Sequence, residues 1–424
     1  ESSSFPVVGQ MTQDGTFIIA MRTSNHDILE LFVDRFENSV SIDPQDAIEG
    51  NNGTNIWLGS NSSNPAPVGM EIAEYVHILG ALTDNELASI LDQWRRKYIN
   101  RLYVLANGQS VQDKLFTDFS GAGDQAFVNL AGNDYTEVFH SNAAKGGTRL
   151  TKTVADEIPD NNYWWNDQTG SKGPLYAAIL DPITNRKSVN VLKYNLGTGE
   201  MPFVGGIISK ADYKTALQEY FAQIRSDFGC EIMLNPYHRG QGESEPERIT
   251  GGQLIREAQL ETINEIAYIH RGVEIYDLDH QDTFHLTQDG FETMAEREAR
   301  RIKAILGTGP ALGTSGPDVT GVSVNGTNID LTISHDAGDD LTVPSGAEDM
   351  FAIDDNGSIE TVSGVSKIDS NTVRLILSSA PADLRKVYIS YGTNHGLPQL
   401  NPPVIVDNSA NPLPLQSKVF ERHL

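Results

Sequence analysis

Three short segments of this chain combine residue types suited to nucleophilic acyl transfer. The first is Tyr103-Val104-Leu105-Ala106-Asn107-Gly108-Gln109-Ser110, an apolar run that ends in a glycine and a serine. Loops and helix N-termini converge at the C-terminal edge of an open α/β sheet, so a serine delivered there can meet a ligand. Taken alone, the same pattern also describes a simple turn with a helix cap. The second segment is Asp282-Thr283-Phe284-His285, followed by Leu286, Thr287, Gly290 and an amphipathic stretch from Phe291. A carboxylate three residues ahead of a histidine lets one loop turn present both. The carboxylate fixes the imidazole tautomer, and the imidazole removes a proton from serine. Asp277 and His280 repeat the spacing, but Asp277 sits in the apolar run 273–278, which reads as a strand, so Asp282 and His285 are preferred. The third is Lys145-Gly146-Gly147-Thr148. Consecutive glycines allow backbone N–H groups to approach a ligand oxygen, as an oxyanion hole requires, although a tight turn needs nothing more.

The elements around these segments alternate between short apolar runs and amphipathic helices from about residue 101 to 306, the pattern of βα units around a mostly parallel sheet. Strands are expected at 102–106, 137–140, 189–194, 231–234 and 273–278. Tyr213, Ala216, Leu217, Tyr220, Phe221 and Ile224 fall on one helical face, as do Phe291, Met294, Ala295, Ile302 and Ile305. Before this region, strand-like runs at 16–21, 29–33 and 56–59 lie between Asn/Gly/Ser/Pro clusters, and Thr83 with Glu86 forms a capping box for a helix to about Tyr98. After it, a Gly/Thr/Pro/Ser stretch at 307–317 reads as a linker, and alternation returns at 319–324, 329–333, 373–377 and 387–391. The expected division is therefore a β-sandwich piece over 1–98, an α/β domain over 99–306, the linker, and a C-terminal β-sandwich over 318–424. A chain of 424 residues exceeds what one core usually organises, which agrees with several domains.

The formal charge of −26 opposes binding to nucleic acid or to an anionic membrane surface. No apolar run reaches the roughly eighteen residues of a membrane span. The opening Glu1-Ser2-Ser3-Ser4 lacks an initiator Met and the layout of a signal peptide, so the chain reads as a processed product. A single cysteine, Cys230, excludes an intrachain disulfide and reads as a buried structural residue. Trp164-Trp165-Asn166, flanked by Asp160, Asn161 and Asn162, offers either a sugar-stacking platform or an anchor to the core. The Asp-rich loops near 336–340 and 354–357 match no EF-hand and read as solvated turns.

In order, the three segments resemble the conserved blocks of the SGNH hydrolases, especially the branch with sialate O-acetylesterases and acetylxylan esterases. Gly108-Gln109-Ser110, Gly146-Gly147-Thr148 and Asp282 to His285 stand where that branch has Gly-Gln-Ser, Gly-Gly-Thr/Ser and Asp-x-x-His. The resemblance implies a three-layer α/β/α, flavodoxin-like domain, no metal or other cofactor, and acyl transfer at a small ester. Ser110 would be the nucleophile, His285 the base and Asp282 its orienting group, with the N–H groups of Ser110 and Gly146 in the oxyanion hole. The block supplying an Asn or Gln donor departs from the family pattern. Asn195, after the 189–194 strand, is preferred, and Gln241 in Gln241-Gly242-Glu243 is the alternative.

The N-terminal piece resembles a reduced lectin-like sandwich, and the C-terminal one resembles the small sandwich that follows the esterase domain in some bacteriophage tail proteins. That context implies a trimeric tail spike or tail fibre deacetylase on the virion, acting on O-acetylated polysaccharide. A secreted bacterial acetylxylan or sialate esterase fits the same features. So does a carbohydrate-binding adhesin without activity, although a scaffold has no use for serine, histidine and aspartate in family order. A lipase for longer acyl chains would call for an apolar lid segment, which is not evident.

Overall fold

The computed structural model describes residues 8–10, 18–24, 27–34, 40–41, 101–135, 137–158, 162–180, 189–237, 245–309, 313–389 and 403–421. By its contacts the chain divides into two compact units, Glu1–Arg101 and Leu102–Leu424. In the first, Ile18–Ser24 pairs antiparallel with Asp27–Asp34, and Val8–Gln10 pairs with Val40–Ser41. The strand expected at 56–59 and the helix from Thr83 lie outside the described residues.

The second unit begins with a five-stranded sheet built from β1 (Arg101–Gly108), β2 (Glu137–Asn142), β3 (Val191–Asn195), β4 (Glu231–Leu234) and β5 (Ile269–Arg271). Their order is β2-β1-β3-β4-β5, and the β1–β3, β3–β4 and β4–β5 pairs are parallel. This is a doubly wound arrangement whose strand order reverses between β1 and β3, the crevice where such sheets bind ligands. The helices are α1 (Ser110–Thr117), α2 (Ala122–Ala131), α3 (Lys210–Phe228), α4 (Pro246–Glu265) and α5 (Gln288–Ile305).

Alternation along the strands sends side chains to two separate cores. Leu105, Leu192, Tyr194, Ile232 and Leu234 pack with Tyr213, Leu217, Tyr220 and Phe221 of α3 and Ile255 of α4. Leu102, Val104, Val191 and Met233 pack with Leu115, Phe127, Met294, Ala295 and Ile302 from α1, α2 and α5. The helical faces read from the sequence are these buried faces. Ser209 caps the start of α3 by accepting the Asp212 N–H, and Gly229 ends it at φ +65°. Cys230 is buried behind this turn, and burial pushes its thiol up to about 12.

One expected strand is absent. Residues 273–278 form an irregular segment, and the fifth strand is the preceding Ile269–Arg271. The apolar alternation there has another origin. Val273, Ile275 and Leu278 belong to the core on the α1/α2/α5 side, while Tyr276 enters the core of the β-sandwich that follows. The segment divides its side chains between two cores, and that mimics a pleat.

The sandwich contains β6 (Asp318–Asn325), β7 (Asn328–Ser334), β8 (Phe351–Asp355), β9 (Ser358–Thr361), β10 (Gly364–Asp369), β11 (Thr372–Ile376), β12 (Leu384–Ile389) and β13 (Lys418–Glu421). These form two antiparallel four-stranded sheets, β6-β7-β11-β10 and β9-β8-β12-β13. Leu331, Ile333, Val373 and Leu375 of one sheet share a core with Phe351, Ile353, Val387 and Ile389 of the other. The stretch read as a linker is tied down at its end, because Asp336 Oδ2 accepts the N–H groups of Thr314, Ser315 and Gly316 at 2.8, 2.7 and 3.1 Å. The α/β part is docked by polar bonds as well. Tyr276 donates to Leu415 O at 2.5 Å, and Glu274 Oε1 accepts the Ser417 N–H at 3.1 Å.

Candidate active site

The end of β1 meets the end of β3 so closely that the residue types there follow from steric limits. Gly108 pairs with Asn195 and has φ +127°, and a Cβ on it would lie 2.0 Å from Asn195 O. Only glycine fits this approach. Gln109 then donates its N–H to Asn195 O at 2.9 Å, and the chain turns directly into α1 with Ser110 as its first residue. Ser110 is thereby placed at the crevice between β1 and β3.

The loop before α5 carries the other two groups. Gln281 N–H donates to His285 O at 2.9 Å and Thr287 N–H to Asp279 O at 2.8 Å, closing a narrow turn. Within it Asp282 Oδ1 accepts the N–H groups of Phe284 and His285 at 2.9 and 2.8 Å. Thr287 caps α5 by accepting the Gly290 N–H. The side chains then form a chain: His285 Nδ1 lies 2.8 Å from Asp282 Oδ2, and His285 Nε2 lies 2.9 Å from Ser110 Oγ. Burial pushes the Asp282 pKa up, but the bonds from the Phe284 N–H, the His285 ring and the His285 N–H outweigh it and hold the carboxyl below its usual range. An ionised Asp282 accepts from Nδ1, which leaves Nε2 facing Ser110 Oγ as an acceptor.

The competing pair with the same spacing is engaged elsewhere. Asp277 forms two bonds of 2.7 Å with the Arg297 guanidinium, and His280 is buried with Nδ1 2.6 Å from Leu278 O.

The residues expected to stabilise an oxyanion are in different states. Gly146 is beside Ser110, since a Cβ on it would be 3.7 Å from Ser110 Cβ, but its N–H donates to Asp113 Oδ2 at 3.3 Å. Asn195 is 4% exposed, and its Nδ2 is buried with no hydrogen-bond partner among the described residues. A buried amide of this kind calls for a partner that arrives later. Gln241 lies outside the described residues.

The tryptophans require a correction. Trp164 is fully buried and Trp165 is 4% exposed, so neither indole offers a face for sugar stacking. Trp164 Nε1 donates to Thr148 Oγ1 at 3.1 Å and Trp165 Nε1 to Glu219 Oε2 at 3.0 Å. Large apolar bodies with a satisfied N–H serve as core anchors, and Trp164 anchors the loop that carries Gly146.

Sequence reasoning missed two residues that join these parts. Gln109 Oε1 accepts the N–H groups of Gly197 and Gly199 at 3.2 and 3.3 Å, while its Nε2 donates to Thr148 O. It thus ties the loop after β3 to the loop with Gly146. Glu200, fully buried, accepts the Leu150 N–H from the same side, and burial, opposed by Arg149 and by that N–H, pushes its pKa up to about 7. The available signal was the polar Gln109 beside Ser110 and the acid closing Gly197-Thr198-Gly199-Glu200.

Beneath the site, Glu298 of α5 accepts Gln112 Nε2 of α1 at 2.8 Å, Asn235 Nδ2 at 2.7 Å and Lys193 Nζ at 2.6 Å, all buried. Among the described residues, no cluster of three or more His, Cys, Asp or Glu is placed to hold a metal ion.

No family model matches the sequence, and no curated protein matches it. One solved structure shares its fold over most of the chain, and others match more weakly. A carbohydrate acetylesterase from Xanthomonas citri superposes with TM-score 0.56 at 14% identity, over 76% of this chain and 81% of its own. A family two carbohydrate esterase from Clostridium thermocellum matches with TM-score 0.34 at 16% identity, over 49% of this chain and 64% of its own. A carbohydrate acetylesterase from Sinorhizobium meliloti matches with TM-score 0.36 at 10% identity, over 48% and 99%.

Proposed function

We propose that this chain is a serine esterase of the SGNH hydrolase type that removes O-acetyl groups from carbohydrate. The observation that carries this reading is the chain from Ser110 Oγ through His285 to Asp282, placed at the topological switch point of a parallel sheet. A fold shared over most of its length with a carbohydrate acetylesterase supports the substrate class.

In the reaction proposed, His285 Nε2 takes the Ser110 proton as Oγ attacks the acetyl carbonyl, giving a tetrahedral oxyanion. The Ser110 N–H at the start of α1 and the Asn195 amide stabilise that charge, with the Gly146 N–H joining once it is released from Asp113. His285 then gives its proton to the departing sugar hydroxyl, leaving acetyl on Ser110. Water, deprotonated by His285, attacks the acetyl-enzyme, acetate leaves, and the serine regains its proton.

The substrate is proposed to be acetylated bacterial surface polysaccharide, with the chain part of a trimeric phage tail protein. The acidic charge and the β elements that precede and follow the α/β domain in the chain support this context. Acetate release from O-acetylated bacterial polysaccharide and from acetylated xylan, measured for the native chain and for Ser110→Ala, tests the reading. Release from the polysaccharide that Ser110→Ala abolishes is expected. Equal release by the variant would remove Ser110 as nucleophile, and preference for xylan would move the substrate to plant glycans.

A further inference from the structure

We propose that Asp113 is a specificity-determining residue: its carboxylate holds the Gly146 N–H in the resting enzyme and exchanges it for a hydroxyl next to the scissile ester. This rests on the esterase reading above.

Asp113 lies three residues after Ser110 on α1, so both point from neighbouring turns of one helix face. Its two oxygens are held unequally. Oδ1 accepts Asn142 Nδ2 at 3.0 Å, and Asn142 is itself fixed by accepting the Ala144 N–H at 2.9 Å. Among the described residues, Oδ2 accepts only a longer bond, 3.3 Å, from the exposed Gly146. A Cβ on Gly146 would be 3.7 Å from both Asp113 Oδ2 and Ser110 Cβ, so carboxylate, amide and nucleophile share one small volume.

For acyl transfer this resting arrangement is doubly unfavourable. One of the amides assigned to the oxyanion, the Gly146 N–H, is spent on a carboxylate, and that carboxylate repels the negative charge that develops beside Ser110. Both penalties fall if the substrate brings a better donor for Oδ2. A sugar hydroxyl does so, because O–H to carboxylate bonds are short and charge-assisted. An acetylated sugar ring with a free hydroxyl on the adjacent carbon supplies one, and an aryl acetate supplies none. Asp113 therefore reads the alcohol side of the ester, favouring acetates flanked by a hydroxyl.

The test compares the native chain, Asp113→Ala and Asp113→Asn on p-nitrophenyl acetate and on a monoacetylated methyl glycoside with a free vicinal hydroxyl. In Asp113→Ala, the ratio of kcat/KM for the glycoside to that for the aryl ester is expected to fall about tenfold, the scale of one charged hydrogen bond. Aryl acetate turnover rises, because the Gly146 N–H is free. Asp113→Asn, which keeps size and loses charge, shifts the ratio in the same direction and decides the matter if the alanine variant does not fold. A ratio unchanged in the folded variants, with both substrates altered by one factor, overturns the proposal. Hydrolysis of both esters by Ser110→Ala would instead overturn the esterase reading, independently of Asp113.

Discussion

Gln112 donates from Nε2 to Glu298 Oε1 over 2.8 Å inside the protein, which joins the helix that starts at Ser110 to the helix that follows His285. The same carboxylate takes Lys193 Nζ on its other oxygen, and both side chains of that ion pair are fully buried. Ser110 and His285 are thus carried on or beside helices tied to one buried charge.

Removing that charge leaves Lys193 buried without its counter-ion. Glu298→Leu is therefore expected to cost about 3–5 kcal/mol of stability, read as a lower midpoint in urea unfolding. Adding Lys193→Met should return much of the loss, although Gln112 and Asn235 still lack an acceptor. A double variant no more stable than the single one would show that charge balance is not what Glu298 supplies.

Glu200 gives a pH signature. Its folded pKa is raised to about 7, above the usual carboxyl value, so the folded state holds a proton that the unfolded chain releases. Stability from this group is complete below the ordinary carboxyl range and is lost as pH rises toward and through 7. Glu200→Gln resembles the protonated form and is expected to flatten that component between about pH 4.5 and 7. Thermal midpoints of both proteins across this range decide it; parallel curves would mean that Glu200 does not take up the proton.

Asp282 has a side chain that is 53% exposed, so water partly replaces what it offers His285. Ser110→Ala and His285→Ala are expected to remove nearly all turnover. Asp282→Ala should be less damaging than either by roughly tenfold or more, as for triads in which the carboxylate contributes least. Steady-state kinetics of the three variants check the order, and an Asp282 variant as inactive as the serine variant would contradict it.

These features were unevenly legible in the sequence. Asp282 and His285 share one turn, so their spacing brings them together, and the helical faces of α3 and α5 were plain because burial on one side imposes a 3.6-residue period. Contact between Ser110 and His285, 175 positions apart, has no local signature, and only the order of the motifs suggested it. Segment 273–278 looked like a strand because Val273 and Ile275, two apart, enter one core while Tyr276 turns into another. For Trp164 and Trp165 the polar neighbours left a stacking platform and a core anchor open, and the structure gives the anchor: each indole N–H finds a buried or half-buried acceptor. Gln109 and Glu200 were passed over because much of their bonding is to backbone groups, which leave no mark in residue type.

Asn195 presents the sharpest question about the oxyanion. Its backbone O is fixed by the Gln109 N–H at 2.9 Å, on the strand end that presses against Gly108, so the residue's position is set by main chain rather than by its amide. Its Nδ2 is meanwhile buried and has no hydrogen-bond partner among the described residues. A donor that costs stability to bury and has no partner among the described residues suits an amide that bonds a charge appearing only during reaction. Asn195→Ala should therefore leave the fold and KM little changed and lower kcat by about a hundredfold to a thousandfold, the usual effect of losing one oxyanion donor. Because the variant also removes an unsatisfied group, its thermal midpoint should not fall. Unchanged kcat in Asn195→Ala together with a hundredfold loss in Gln241→Ala would transfer the role to Gln241.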